Sequence, residues 1–323
     1  MTMHSDRLRV RVAAKQAEAK DICRFELVDT AGESLPSFTA GSHIDVEIDG
    51  GLTRQYSLCN PPSERHRYEI AVLREPNGRG GSVAMHDRVQ VGDEIVISAP
   101  RNHFELARDA STSLLLAGGI GITPIMCMAS HLAATGSEFE LHYCCRSRDR
   151  AAFADRIADS SFAEFTQYHF SDGPAWQRLD IGRTLTRPKA GAHLYVCGPA
   201  GFIDAVLGTA RTQGWPEGQV HREFFAAQFV ATGNDAAFEV EIASTGRVVI
   251  VGADQTVAQA LCANGIEIQT SCEQGVCGTC ITRVLAGEPL HRDQYFTPEE
   301  LAANNQFTPC CSRAKSPRLV LDL

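Results

Sequence analysis

Four cysteines dominate the chemistry available to this chain. They read Cys272-Glu-Gln-Gly-Val-Cys277-Gly-Thr-Cys280, with Cys310 further on. The spacing C-x4-C-x2-C is the one plant-type [2Fe–2S] sites use. Two irons bridged by sulfides need four thiolates in a small volume. A tight loop can supply three and a distant segment the fourth, while Gly275 and Gly278 let the loop backbone wrap and aim N–H groups at sulfur. A zinc site is the competing reading, but zinc sites show two CxxC-like pairs or one pair with two histidines, and here only Cys277 and Cys280 form such a pair.

Two further motifs point at phosphate-bearing cofactors. Gly118-Gly119-Ile120-Gly121-Ile122-Thr123-Pro124 follows an apolar strand and opens a helix, where glycines admit a phosphate to the backbone and the helix N-terminus attracts its charge. A Rossmann fingerprint would need glycine at Pro124, so this is a different dinucleotide turn. Val196-Cys197-Gly198-Pro199-Ala200-Gly201 also runs from a strand end into a helix, on the sheet edge where open α/β sheets bind ligands. Nearer the N-terminus, Arg54-Gln55-Tyr56-Ser57 is followed by Gly78-Arg79-Gly80-Gly81-Ser82. Here an arginine can clamp a phosphate, a tyrosine can flank an isoalloxazine, a hydroxyl can bond a ring nitrogen, and glycine N–H groups can face an anion.

The elements that must position these residues change character along the chain. Up to about residue 106, short β-rich runs (Ile44 to Ile48, Tyr68 to Leu73, Glu94 to Ser98) are separated by turn residues, which predicts an antiparallel barrel. From about 111 to 223 strands and helices alternate, which predicts a parallel sheet. Strands are expected at Leu114 to Ala117, Phe139 to Cys144 and His193 to Cys197. One helix is expected to start with Thr123 as cap and Pro124 at its first position, and another to span Ala200 to Gln213. The stretch Ala231 to Ala236 reads as a linker. Strands at Phe238 to Ile242 and Arg247 to Val251 then precede a helix from Val257 to Ala263 capped by Thr256.

Bulk composition narrows the classes. The chain has 323 residues, 44% hydrophobic and 21% charged, which is ordinary globular material for two or three domains. Its formal net charge of −9 argues against a nucleic-acid partner, which favours a basic face. The most apolar stretch, Leu114 to Ala129, is broken by glycines and Pro124 and is too short to span a bilayer. The N-terminus carries no signal-peptide core, so a cytoplasmic location is expected; twelve cysteines is high for a reducing compartment, which points to clustered cysteines as metal ligands. His291-Arg292-Asp293 reads as an exposed charged loop, or else as a docking patch. Arg146 and Arg148 read as solvated surface charges, or else as contacts to a 2′-phosphate.

Taken together, the three motif sets resemble the phthalate dioxygenase reductase family, which includes vanillate demethylase reductase-like proteins. The resemblance covers almost the whole chain. It implies a Greek-key β-barrel flavin domain at 1–107, an α/β ferredoxin-reductase-type nucleotide domain at 108–230 and a β-grasp ferredoxin domain at 231–323. It implies FMN, NADH and a [2Fe–2S] cluster as cofactors. Residue by residue, Arg54 and Ser82 with Gly80 and Gly81 would hold the FMN phosphate, and Gln55 belongs to the same flavin motif. Tyr56 would pack on the flavin, and Ser57 would lie near its N5. Gly119, Gly121 and Thr123 would face the pyridine-nucleotide pyrophosphate, Cys197 with Gly198 and Pro199 would lie near the nicotinamide, and Phe225 would match an aromatic position near the flavin. Cys272, Cys277, Cys280 and Cys310 would bind the cluster.

Nicotinamide delivers two electrons as hydride, a [2Fe–2S] cluster takes one, and a flavin converts between the two regimes. The implied function is the reductase component of a Rieske-type oxygenase or demethylase. A reductase for a cytochrome P450 and a non-enzymatic iron–sulfur sensor are the alternatives. No side chain is required as acid or base for hydride transfer.

The adjacent pair Cys310 and Cys311 is a test of the cluster reading. If the two lie on a strand, they point to opposite faces and only one reaches the irons. Cys310→Ser should abolish normal cluster assembly, measured as iron content and visible absorbance, and Cys311→Ser should leave both intact.

Overall fold

The computed structural model describes the chain except for residues 1–6, 49–51, 79, 226–234, 271–274, 276–277 and 294. It divides into two compact units, Met1–Phe225 and Ala226–Leu323. No described helix is long and apolar enough to cross a membrane.

The first unit begins with a barrel. Strands β1 (Arg7–Ala19), β2 (Ile22–Asp29), β3 (Ser42–Ile48), β4 (Leu52–Ser57), β5 (Tyr68–Leu73) and β6 (Glu94–Ser98) pair antiparallel in the order β4-β3-β6-β1-β2-β5, with β7 (Arg101–Asn102) on β3. A bridge between Leu58 and Ile70 brings the end of β4 onto β5, the other edge of the sheet. Alternation drives the closure: Ile44, Val46 and Ile48 on β3 are buried and so fill the interior. One helix was not anticipated. The Gly80-Gly81-Ser82 run, singled out for its backbone donors, opens α1 (Gly81–Asp87). Lys15 fastens the far end of α1, its Nζ donating to the carbonyls of His86 (2.6 Å) and Val89 (2.7 Å), where a cation complements unpaired carbonyls.

The rest of this unit is a parallel sheet. Strands β8 (Thr112–Gly118), β9 (Phe139–Cys145), β10 (Thr166–Phe170), β11 (Ala192–Gly198) and β12 (Val220–Phe224) run in the order β10-β9-β8-β11-β12. The central strands are buried on both faces, as expected of a sheet covered by helices. Helix α2 (Ile122–Thr135) packs on one side, while α5 (Ala200–Thr212), with Ile203, Val206 and Ala210, packs on the other. The short helices α3 (Ala154–Ala158) and α4 (Ile181–Thr184) lie between them in the chain.

The expected start of α2 is corrected. Its N-cap is Gly121, not Thr123, and Pro124 is the third helical residue. A 3₁₀ turn at Gly119–Gly121 runs directly into the helix, so the helix starts earlier than the Thr-Pro pair suggests. Pro124 is tolerated because the first turn has no carbonyl partner to lose. Thr123 instead donates to the Ile120 carbonyl at 3.1 Å.

The second unit carries strands β13 (Phe238–Ile242), β14 (Arg247–Val251), β15 (Thr282–Ala286), β17 (Gln306–Phe307) and β19 (Arg318–Leu321) in the order β14-β13-β19-β15-β17, with β16 (Pro289–Leu290) paired to β18 (Arg313–Ala314). The antiparallel hairpin β13–β14, the parallel pair β13–β19 and α6 (Val257–Ala263) packed on β14 make a β-grasp. Thr256 caps α6 with a full capping box to Gln259, and Gly265 ends it in a left-handed turn. A second capping box, Thr297 with Glu300, opens α7 (Pro298–Ala303). Arg313 is the largest fully buried side chain among the described residues. Its guanidinium is satisfied by the carbonyls of Gly252, Gln255 and Ala236 and sits 5.1 Å from the Phe238 ring.

The expected loop His291-Arg292-Asp293 is likewise corrected. The Asp293 side chain is fully buried beside His291, and Arg292 pairs with Asp235.

Gly121, at the end of the 3₁₀ turn, packs against the backbone at the end of β11. A Cβ there would overlap the Cys197 carbonyl and lie 2.7 Å from the Gly198 nitrogen, both immovable backbone. Gly121→Ala should therefore cost about 2–3 kcal/mol, seen as a Tm drop of roughly 4–10 °C. Gly201→Ala, in open space on α5, should be neutral or slightly stabilising by the same measurement.

Candidate functional site

The flavin-motif residues lie on β4 and the start of α1. The side chain of Arg54 lies across Gly81, where a Cβ would be 2.6 Å from Arg54 Cγ, and its Nη1 donates to the Thr53 carbonyl at 2.7 Å. Gly80 is left-handed (φ 80°), with no atom within 4 Å of where a Cβ would be. This is a turn open on one side and bordered by a guanidinium, a shape that suits an anion. Arg79 lies outside the described residues. Ser82 Oγ accepts the Glu75 N–H at 3.0 Å, closing the turn. Gln55 Nε2 lies 3.0 Å from Nε2 of the buried His43. Burial, then His103 and Arg101, lower the His43 pKa to about 4, so at neutral pH the imidazole is uncharged and can accept from the amide. Tyr56 is half-buried, and burial raises its hydroxyl pKa despite Arg54.

The nucleotide-motif residues lie at the carboxyl ends of β8 and β11. Gly119 is left-handed (φ 55°) and faces open space. Gly118 and Gly198 pack backbone to backbone, a Cβ on Gly198 falling 2.9 Å from Gly118 Cα. Gly121 backs onto Cys197–Gly198, and Thr123 is buried with its hydroxyl engaged. Pro199 is the N-cap of α5. Cys197 is fully buried, and burial followed by the neighbouring Glu223 pushes its thiol pKa well up, so it is neutral. Phe225 follows β12 and is 40% exposed.

The two ends meet at a residue that the sequence did not single out. Ser57 Oγ, from the barrel, donates to Glu223 Oε2 at 3.3 Å, and Cys197 Sγ lies 4.0 Å from the same oxygen. Glu223 is on β12, an edge strand of mixed polar and apolar residues whose alternation marks no special position. Only its pairing opposite Cys197 shows it. Burial raises its carboxyl pKa to about 8, against the hydrogen bond from Ser57. Around neutral pH the junction is therefore an uncharged acid, thiol and hydroxyl.

In the second unit, Cys280 and Cys310 are buried with their thiols within hydrogen-bonding reach. Cys272 and Cys277 lie outside the described residues. Gly275 (φ 71°) and Gly278 (φ 72°) are left-handed, and a Cβ on them would meet Asp293 Cβ at 2.7 Å and the Tyr295 ring at 2.5 Å. Only glycine satisfies both demands. Two buried thiols beside a glycine-wrapped loop fit iron–sulfide ligation, and the residues present would hold a cluster. Cys310 and Cys311 occupy a turn rather than a strand, so strand alternation is not what separates them. The Cys310 thiol is within hydrogen-bonding reach of both Cys280 and Cys311, and Cys311 Sγ also rests against Gly275 and lies 3.2 Å from Thr308 Oγ1. Among the remaining described thiols, Cys59, Cys127 and Cys145 are buried in the core and Cys262 is exposed.

With that geometry in place, comparison with known proteins is decisive. Three family models match in the order of the motifs: an oxidoreductase FAD-binding domain at 9–106, an oxidoreductase NAD-binding domain at 115–207 and a 2Fe-2S iron-sulfur cluster binding domain at 240–315. The chain is 53% identical over 316 residues to vanillate O-demethylase oxidoreductase of Pseudomonas sp. (strain HR199 / DSM 7063), covering 98% of this chain and 100% of that one. The solved structure of phthalate dioxygenase reductase superposes with a TM-score of 0.77 at 38% identity, covering 98% of both chains. This chain belongs to the phthalate dioxygenase reductase family. It is an NADH-dependent oxidoreductase whose electrons pass through a flavin and a [2Fe–2S] centre. An intact type IV self-sufficient cytochrome P450 monooxygenase also matches, with TM-score 0.78 and 38% identity over 100% of this chain but 42% of that one.

Glu223 generates a pH prediction. Its folded pKa is raised from 4.5 to about 8, so its contribution to stability is fully present below pH 4.5 and is lost as pH rises through 8. Glu223→Gln, uncharged at every pH, should gain on the wild type across that window. The Tm difference between the two should widen by several degrees from about pH 5 to pH 8.5, and a constant difference would show that the carboxyl is not buried as described.

Proposed function

We propose that this chain is the FMN-containing reductase of a two-component oxygenase or demethylase of the vanillate type, working in the cytoplasm. The observation that carries the proposal is the meeting of Ser57, Cys197 and Glu223 at one point, where a barrel strand end and a nucleotide-sheet strand end face each other. Electrons would run from NADH to the flavin, then to the cluster, then to the partner oxygenase. We assign residues 1–107 to flavin binding, 108–230 to the nucleotide and 231–323 to the cluster.

The site assignments follow the same reading. Arg54, Gly80, Gly81 and Ser82 would hold the flavin phosphate, with Gln55 held by His43 and Tyr56 packing on the ring. Ser57 and Phe225 would adjoin the reacting face. Gly119, Gly121 and Thr123 would border the pyrophosphate, and Cys197, Gly198 and Pro199 the nicotinamide. Cys272, Cys277, Cys280 and Cys310 would ligate the irons. FMN rather than FAD is supported by the short turn under Arg54, which offers a place for a terminal phosphate. A cytoplasmic site is supported by the described cysteines, all of which are free thiols. The likeness to the self-sufficient P450 keeps a haem monooxygenase as a second acceptor reading.

The experiment is direct. Purified protein should release FMN on heating, contain iron and sulfide, and reduce an artificial one-electron acceptor with NADH. Adding the candidate oxygenase should make NADH oxidation depend on the aromatic substrate. Release of FAD would overturn the FMN assignment, and coupling only to a P450 would select the second acceptor.

A further inference from the structure

The seam between barrel and nucleotide sheet is built around a carboxylate with no exposed side-chain surface. Glu69 sits in β5 among Tyr68, Ile70 and Ala71 and would be poorly tolerated there alone. Three guanidiniums satisfy it: Arg24 and Arg67 from the barrel, the latter at 3.3 Å, and Arg156 of α3 in the nucleotide domain, whose Nη1 lies 2.6 Å from Oε2. Burial works against ionisation, but Arg156, then Arg67 and Arg24, outweigh it and hold the carboxyl below its usual pKa. A cavity of about 480 Å³ opens beside the cluster. Glu18, Glu64, Glu69 and Asp155 line it with Arg24, Arg67 and Arg156, and the three glutamates pair with those arginines.

Glu69 also acts through its main chain. Its carbonyl accepts the Cys59 N–H at 2.9 Å, and its N–H donates to Asn60 Oδ1 at 2.9 Å. Those partners follow Ser57 by two and three residues. One residue thus grips the strand end that carries Ser57 with its backbone and the domain that carries Cys197 and Glu223 with its side chain.

Other contacts cross the same seam at the tip of the β1–β2 hairpin. Lys20 N–H donates to the Asp149 carbonyl at 2.9 Å, Phe153 N–H to Glu18 Oε1 at 3.1 Å, and Arg150 pairs with Asp21 at 3.0 Å. These do not involve Arg156, so removing its side chain leaves the domains joined while releasing the grip nearest Ser57.

We propose that the Glu69–Arg156 ion pair is a positioning device that sets the gap between flavin and nicotinamide, so that its loss slows hydride transfer without weakening NADH binding. The proposal rests on the placement of the flavin at Ser57 and the nicotinamide at Cys197. Transfer between two bound rings depends on their separation, whereas nucleotide affinity depends on the nucleotide domain's own surface.

The test is anaerobic stopped-flow reduction of the holoenzyme flavin by NADH, with Arg156→Ala, Arg156→Lys, Glu69→Gln and Ser57→Ala. Arg156→Ala should lower the limiting rate about ten-fold or more, with the Kd for NADH and the flavin content within about two-fold of wild type. Arg156→Lys should recover most of the loss by restoring a cation, and Glu69→Gln should add little to Arg156→Ala in the double variant. An Arg156→Ala rate within about two-fold of wild type, or a slowing matched by lost flavin or weakened NADH binding, overturns the proposal. If Ser57→Ala slows reduction and Arg156→Ala does not, the ion pair alone fails. If Ser57→Ala changes nothing, the flavin placement fails and takes the proposal with it.

Discussion

A hydroxyl on a barrel strand and a thiol on a parallel-sheet strand are useful together only if both domains present them to one shared point. In this chain that point is the carboxyl of Glu223, buried and bonded to Ser57 across the domain boundary, with the Cys197 sulfur beside it. The demand is geometric before it is chemical. Two rings that exchange hydride must be held at contact distance, and a mobile hinge between their binding domains would forfeit that advantage. The ion pairs under β5 and at the β1–β2 hairpin tip, together with the Tyr195 hydroxyl that accepts the Ala107 N–H at 2.8 Å, brace the boundary.

Close backbone approach is the second recurring device. Where β8 and β11 end, Gly118, Gly121 and Gly198 let three main chains meet without side chains between them, while Gly119 is left facing open space. The cysteine loop repeats the logic: Gly275 and Gly278 lie under Asp293 and Tyr295 in a conformation that only glycine adopts without strain. Glycine serves here as the means by which backbone segments approach one another without a side chain between them. The buried arginine Arg313, satisfied by three carbonyls, braces the same unit three residues beyond Cys310.

Much of the fold was legible in the chain because its signals are local. Runs of β-prone residues between turns marked Tyr68–Leu73, Glu94–Ser98, Phe238–Ile242 and Arg247–Val251 with the bounds the structure has, and Thr256 announced the helix it caps. Local signals failed where two elements compete for the same residues. Thr123-Pro124 reads as a helix start, but the preceding 3₁₀ turn takes that role for Gly121. The charged run His291-Arg292-Asp293 reads as surface, yet its partners Asp235 and Ser312 are distant in sequence and draw it inward.

The sequence by itself determined the module order, the strand and helix types and the cofactor classes. Cysteine spacing, glycine turns and hydrophobic period are properties of neighbours along the chain. Tertiary structure alone decided that Glu223 joins Ser57 and Cys197, that Glu69 is gripped from two domains, and that Cys310 lies within reach of Cys280. Each depends on residues separated by tens of positions becoming buried together. Burial sets the protonation of the acids and thiols, and no single stretch of sequence records which groups will share a desolvated site.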